Sequence, residues 1–77
     1  MTAVAMTDLP PRRPPALGKE DCRLLELLAE GLPLESIARH LKVSERTVRR
    51  RIRSLCDRIG VGNPVQAVVW AVRVGIL

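Results

Sequence analysis

Val48, Ile52, Leu55 and Ile59 recur at i, i+4, i+7 and i+11, which commits this part of the chain to one amphipathic helix with an apolar back. The same stretch, Ser44 to Ile59, carries six arginines. At about 100° per residue, Arg46, Arg50 and Arg53 project from the opposite face. Arg49, Arg51 and Arg58 fall on the flanks, with Thr47 and Ser54 beside the last two. Set against Glu45 and Asp57, these arginines leave +4 of the chain's formal +5 on a single helix. A short helix with a packed back and an arginine front suits the major groove of DNA.

The rest of the composition is consistent with a small binding module. The 77 residues allow one domain at most, with a folded part of roughly sixty residues and a core that a partner subunit would help to stabilise. Phe and Tyr are absent and Trp70 is the one aromatic residue. The core must therefore be built from Leu, Val, Ile and Ala, which suits closely packed helices. The same lack argues against recognition of single strands or RNA loops by base stacking. Arginine outnumbers lysine eleven to two, and its planar fork bonds guanine or phosphate through two donors at once. A GC-rich genome would raise the ratio without explaining the clustering.

Enzyme chemistry finds little to work with. Cys22 and Cys56 form no CxxC pair and His40 is the only histidine, so no zinc site can be assembled by the usual spacings. No nucleophile–base pair and no glycine-rich phosphate loop is visible, so neither metal nor cofactor is expected. The cysteines read as reduced structural thiols, and His40 as a surface residue of the second helix, close to phosphate. Met1 to Met6 lacks a basic region and meets Asp8 too soon for a signal peptide. The apolar run from Val65 to Leu77 is broken by Gln66 and Arg73 and is too short to span a bilayer. A cytoplasmic protein with no membrane partner is expected.

Punctuation divides the chain into a tail and four helices. Residues 1–16 hold Pro10, Pro11, Pro14 and Pro15 around Arg12 and Arg13, which forbids a helix and predicts a flexible, disordered leader. A basic arm along phosphate or in a minor groove, or the stump of a linker, are the alternatives. A first helix is predicted over about Lys19–Glu30, with Glu20 and Asp21 in its first turn and Gly31 at its end. The second spans about Leu34–Leu41 and turns at Lys42-Val43. Ser44 caps the arginine helix, which stops at Gly60. Asn63-Pro64-x-Gln66 opens the fourth, which ends at Gly75. The second and third helices make a helix-turn-helix. Residues 17–42 carry net −1, so the positive field is local and directional.

Leu24-Leu25-x-Leu27-Leu28-Ala29-x-Gly31-Leu32, Ile37-Ala38-x-x-Leu41-x-Val43-Ser44-x-x-Thr47-Val48, Gly60-Val61-x-Asn63 and Gln66-Ala67 together resemble the LuxR/GerE-type helix-turn-helix domain. The resemblance runs over 17–77 and implies an all-α, four-helix DNA-binding domain of a bacterial transcription regulator. It implies a third helix in the major groove and a fourth that pairs two copies on an inverted repeat. Position by position, it implies that Arg49, Arg50 and Arg53 read bases and that Thr47, Arg51 and Arg58 touch phosphate. The wheel adds Arg46 to the readers, and Ser44 joins the phosphate set. Gly18-Lys19-Glu20-Asp21 departs from the usual Thr-Pro-x-Glu opening: Asp21 stands in for the acid but the hydroxyl cap is lost. Pro33-Leu34-Glu35-Ser36 lacks the customary lysine, Arg51 replaces a histidine, and Pro64 stands where an arginine is common. Arg49, Arg50 and Arg51 in a row point either to G-rich sites or to high non-specific affinity. Asp57 either pairs with Arg53 or sits beyond the groove.

The valines of the last helix cannot all face one small core. Val68, Val69 and Val72 are expected at a homodimer interface, with Trp70 either a core or an interface anchor. The expected function is therefore sequence-specific regulation of transcription on double-stranded DNA, in the bacterial nucleoid. A sigma-like module directed to RNA polymerase, or a helix-turn-helix that binds a regulatory protein partner, is the alternative.

Overall fold

The fold is seen in a computed structural model that describes residues 17–77. The leader expected over 1–16 lies outside the described residues. Four helices follow one another: α1 (Lys19–Ala29), α2 (Leu34–Leu41), α3 (Glu45–Ile59) and α4 (Pro64–Arg73). They match the predicted elements to within a residue at each end, and no strand forms among the described residues. The fold is all-α, as expected from the helical spacing and the resemblance.

Helix ends form where the sequence supplies partners. Ser44 Oγ accepts the Thr47 N–H at 3.1 Å, and Asn63 Oδ1 accepts the Gln66 N–H at 2.9 Å. Each satisfies a donor that the helix itself leaves open. Gln66 reaches one residue further back than a capping box requires, taking the Gly62 N–H at 2.6 Å. At Gly18 only half of that reciprocal arrangement exists. Its N–H donates to Asp21 Oδ2 at 3.2 Å, and glycine has no side chain to return the bond.

The turn between α2 and α3 is made by Lys42, which adopts the left-handed conformation with φ 58°. Its N–H donates to the Arg39 carbonyl at 3.2 Å and the Val43 N–H to the Ala38 carbonyl at 3.1 Å, so two end carbonyls are satisfied before α3 begins. Gly60 ends α3 in the same conformation with φ 78°, where a missing Cβ removes the steric cost.

One core holds the four helices. Leu24, Leu25 and Leu27 of α1, Ile37 and Ala38 of α2, Val48, Leu55 and Cys56 of α3, and Ala67 and Ala71 of α4 are buried. Helix α2 packs on α3, and α4 on both α1 and α3. Leu28, Leu41, Ile52, Ile59 and Trp70 are half-buried around this centre. The side of α4 that enters the core is the alanine pair, spaced i, i+4 and fully enclosed. Its valines are thereby turned outward. No helix among the described residues is long and apolar enough to cross a membrane.

Candidate nucleic-acid interface

With Val48 and Leu55 fully buried, the orientation of α3 is fixed and its arginines are placed accordingly. Arg46, Arg50 and Arg53 are exposed on the opposite side and form one ridge, on which Asp57 follows. Arg49 is also exposed, one step off the ridge. Among the described residues Arg46, Arg50 and Arg53 form no ion pair, and Asp57 does not pair with Arg53. Asp57 therefore stands alone at the far end of the ridge. Glu45 draws Arg49 to 3.8 Å, but both side chains are largely exposed, and such a loose i, i+4 pair holds little energy.

The flank facing α1 is different. Arg58 donates from Nη2 to Asp21 Oδ1 at 2.8 Å and from Nη1 to Asp21 Oδ2 at 3.0 Å. This end-on fork on a carboxylate that is only 19% exposed ties the last turn of α3 to the first turn of α1. The Arg58 fork holds the Asp21 carboxyl below its ordinary range against the desolvation that burial imposes. The Gly18 N–H and the charges of Arg58 and Arg51 act in the same direction. Arg51 is half-buried beside this pair, and Glu20, Leu24, Arg50 and Ser54 complete the cleft around it. Asp21 was legible as a helix cap. Its partnership with Arg58, formed across 37 residues, carried no local signal.

Ser44 and Thr47 form a small hydroxyl relay at the start of α3. Ser44 Oγ donates to Thr47 Oγ1 at 3.0 Å while accepting the Thr47 N–H. The Thr47 hydroxyl thus accepts from Ser44 and keeps its own hydrogen to donate, and a donor that itself accepts a hydrogen bond is strengthened. His40 is exposed on α2, as expected. Both cysteines are free. Burial pushes the Cys56 thiol up, with the Asp57 carboxylate adding to the shift, so this sulfur stays protonated in the core.

Helix α4 presents a second surface. Val65, Val69 and Val72 are 72%, 44% and 57% exposed and share one stripe. Val68 is half-buried and lines a depression toward Leu28 and Ala29 of α1. The outward stripe thus centres on Val65, Val69 and Val72, with Val68 on its margin. Trp70 packs on the edge of the core and also lines an open groove of about 600 Å³ with Val61, Val65, Val69 and Arg73. It therefore sits at the edge of the core with one side left open to the groove.

The sequence pattern described as "Bacterial regulatory proteins, luxR family" matches residues 15–71. The chain is 38% identical over 63 residues to the spore germination protein GerE of Bacillus subtilis, an alignment covering 82% of this chain and 85% of that protein. It is also 38% identical over 61 residues to the transcriptional regulatory protein YdfI of Bacillus subtilis, covering 79% of this chain and 29% of YdfI. Identity to the nitrate/nitrite response regulator protein NarL of Escherichia coli is 36% over 47 residues, covering 61% of this chain and 22% of NarL. The chain thus spans most of GerE but less than a third of YdfI or NarL.

Proposed function

The chain belongs to the luxR family of bacterial regulatory proteins, and we propose that it regulates transcription by binding double-stranded DNA with α3 in the major groove. The observation that carries this reading is the exposed arginine ridge of Arg46, Arg50 and Arg53 on a helix whose opposite face is locked in the core. Arg50 and Arg53 meet base edges, with Arg46 and Arg49 beside them. Ser44, Thr47 and Arg51 hold phosphates on either side, where N–H and O–H donors position a helix without reading sequence. Arg58 contributes to the phosphate set through the donors that Asp21 leaves unused. Residues 17–77 act as the DNA-binding domain.

Two copies associate through the valine stripe of α4, centred on Val65, Val69 and Val72 with Val68 on its margin, and bind an inverted repeat. The support is a row of valines exposed at 44–72% on one helix face, an arrangement that costs solubility unless it is covered. Binding releases counterions from the backbone, so affinity falls steeply with salt. The setting that fits is the bacterial cytoplasm.

Selection of bound duplexes from a random pool at roughly physiological salt tests the reading. Recovery of an inverted repeat, lost in the Arg50→Ala/Arg53→Ala double variant, is the expected result. Binding without enrichment would reduce α3 to a non-specific clamp.

A further inference from the structure

Carboxylates sort the six arginines of α3 into two kinds. Asp21 takes the fork of Arg58 at 2.8 and 3.0 Å and lends its charge to Arg51. Glu45 draws Arg49 only loosely, to 3.8 Å, and Arg49 stands one step off the ridge. Arg46, Arg50 and Arg53 are exposed and have no acidic partner among the described residues. These three stand on one ridge opposite the buried Val48 and Leu55. Their Cα atoms are separated along the helix axis by about 6 and 4.5 Å. Base pairs follow one another at about 3.4 Å, so successive forks meet base pairs one or two steps apart.

The chemistry of an open fork then selects the base. Two parallel N–H donors need two acceptors side by side, and in the major groove only guanine offers them, at O6 and N7. Adenine pairs one acceptor with one donor, thymine shows a single acceptor and a methyl group, and cytosine shows a donor. Asp57 continues the ridge and is exposed there. Its carboxylate repels phosphate and opposes the guanine acceptors, so it closes the reading face at its C-terminal end.

Resting on the DNA-reading assignment above, we infer that each half-site is guanine-rich, with separate guanines taken by Arg46, Arg50 and Arg53. The identity of the ligand is thereby narrowed from duplex DNA to a half-site with guanines spaced by the helix ridge. Three arginines within a groove also repel one another unless each finds its acceptors. A half-site lacking guanine leaves them unpaired and is discriminated against.

The test is duplex selection with the full chain and with Arg46→Gln, Arg50→Gln and Arg53→Gln singly. All three positions are exposed and helical, and glutamine is a good helix former, so the fold is retained. Glutamine pairs with adenine through N6 and N7. Each variant is expected to convert one guanine of the half-site to adenine, by about tenfold in preference, and to leave the others unchanged. A wild-type half-site poor in guanine would overturn the inference, as would variants that weaken every sequence alike with the motif unaltered. The first result leaves the DNA-reading assignment standing, and the second leaves DNA binding by α3 standing but moves these arginines from base edges to phosphate. If the wild-type chain enriches no sequence at all, that assignment falls and the inference falls with it.

Discussion

Asp21 and Arg58 lie 37 residues apart in sequence and are joined by two hydrogen bonds of 2.8 and 3.0 Å. They fasten the end of α3 to the start of α1. Because Arg58 lowers the Asp21 pKa in the folded chain, the carboxylate contributes stability above its unfolded pKa of about 3.9. That contribution disappears as pH falls through the lower folded value. Asp21→Asn is expected to cost about 1 kcal/mol at pH 7. The gap between variant and wild type should begin to narrow below about pH 4 and close only once pH has passed below the lowered folded value, where protonation leaves both without the ion pair. Urea unfolding at pH 7 and below that folded value reads both effects. An equal gap at both would mean that the carboxylate charge does not stabilise the fold.

Removing the same carboxylate acts on DNA in the opposite sense. With Asp21→Asn the Arg58 fork is released toward the solvent flank of α3. The plot of log affinity against log salt should then steepen by less than the ~0.9 of a whole phosphate contact, because Arg58 already reaches phosphate through its unused donors and now does so with its charge uncompensated. Titration of a labelled duplex at several salt concentrations measures it. An unchanged slope would show that Arg58 lies beyond the reach of the backbone even when free.

Val69 sits in the middle of the outward stripe of α4 and is 44% exposed. Val69→Asp should leave helicity unchanged while converting a dimer to a monomer in sedimentation equilibrium. A buried, unpaired carboxylate on each side of a self-complementary interface is strongly unfavourable. A wild-type chain that sediments as a monomer at all concentrations, with or without DNA, would remove the pairing through α4.

Lys42 holds the left-handed conformation with a side chain present. Lys42→Gly should raise stability by about 0.5–1 kcal/mol by removing the Cβ clash, and Gly60→Ala should lower it by about 1 kcal/mol for the converse reason. For a chain of this size each step shifts the melting temperature by roughly 4–8 °C per kcal/mol. Thermal unfolding followed by circular dichroism checks both. A Lys42→Gly variant that melts below the wild type would point to lost side-chain interactions of the lysine that outweigh the relief of strain.

Much of the architecture was legible because its determinants are local. Ser44, Asn63 and Gly60 act within one turn of where they stand, so helix ends could be read from neighbouring letters. The apolar period of α3 likewise announced which arginines would face away from the core. Three features lay beyond that reach. Ala67 and Ala71 were hidden as the core face of α4 because the surrounding valines are more hydrophobic, and only packing shows that the smaller residues fit between helices. Arg58 looked like its neighbours until the fold brought Asp21 to it. Gln66 was readable as a residue that reaches back, but its choice of Gly62 depends on the shape of the preceding loop.

In a dimer of the kind proposed above, the alanine pair would bear on DNA geometry without any contact with DNA. Ala67 and Ala71 are the fully buried residues of α4, so methyl groups fill the middle of its seam with the helices beneath it. In a pair joined through the valine stripe, any bulk added there would lift the stripe away from α1 and α3, and both arginine ridges would move with their own halves of the assembly. The gap tolerated between the two arms of an inverted repeat is then a dimension set inside each subunit. A lineage could retune it by enlarging an alanine, without altering a single residue that meets a base, a phosphate or the second copy.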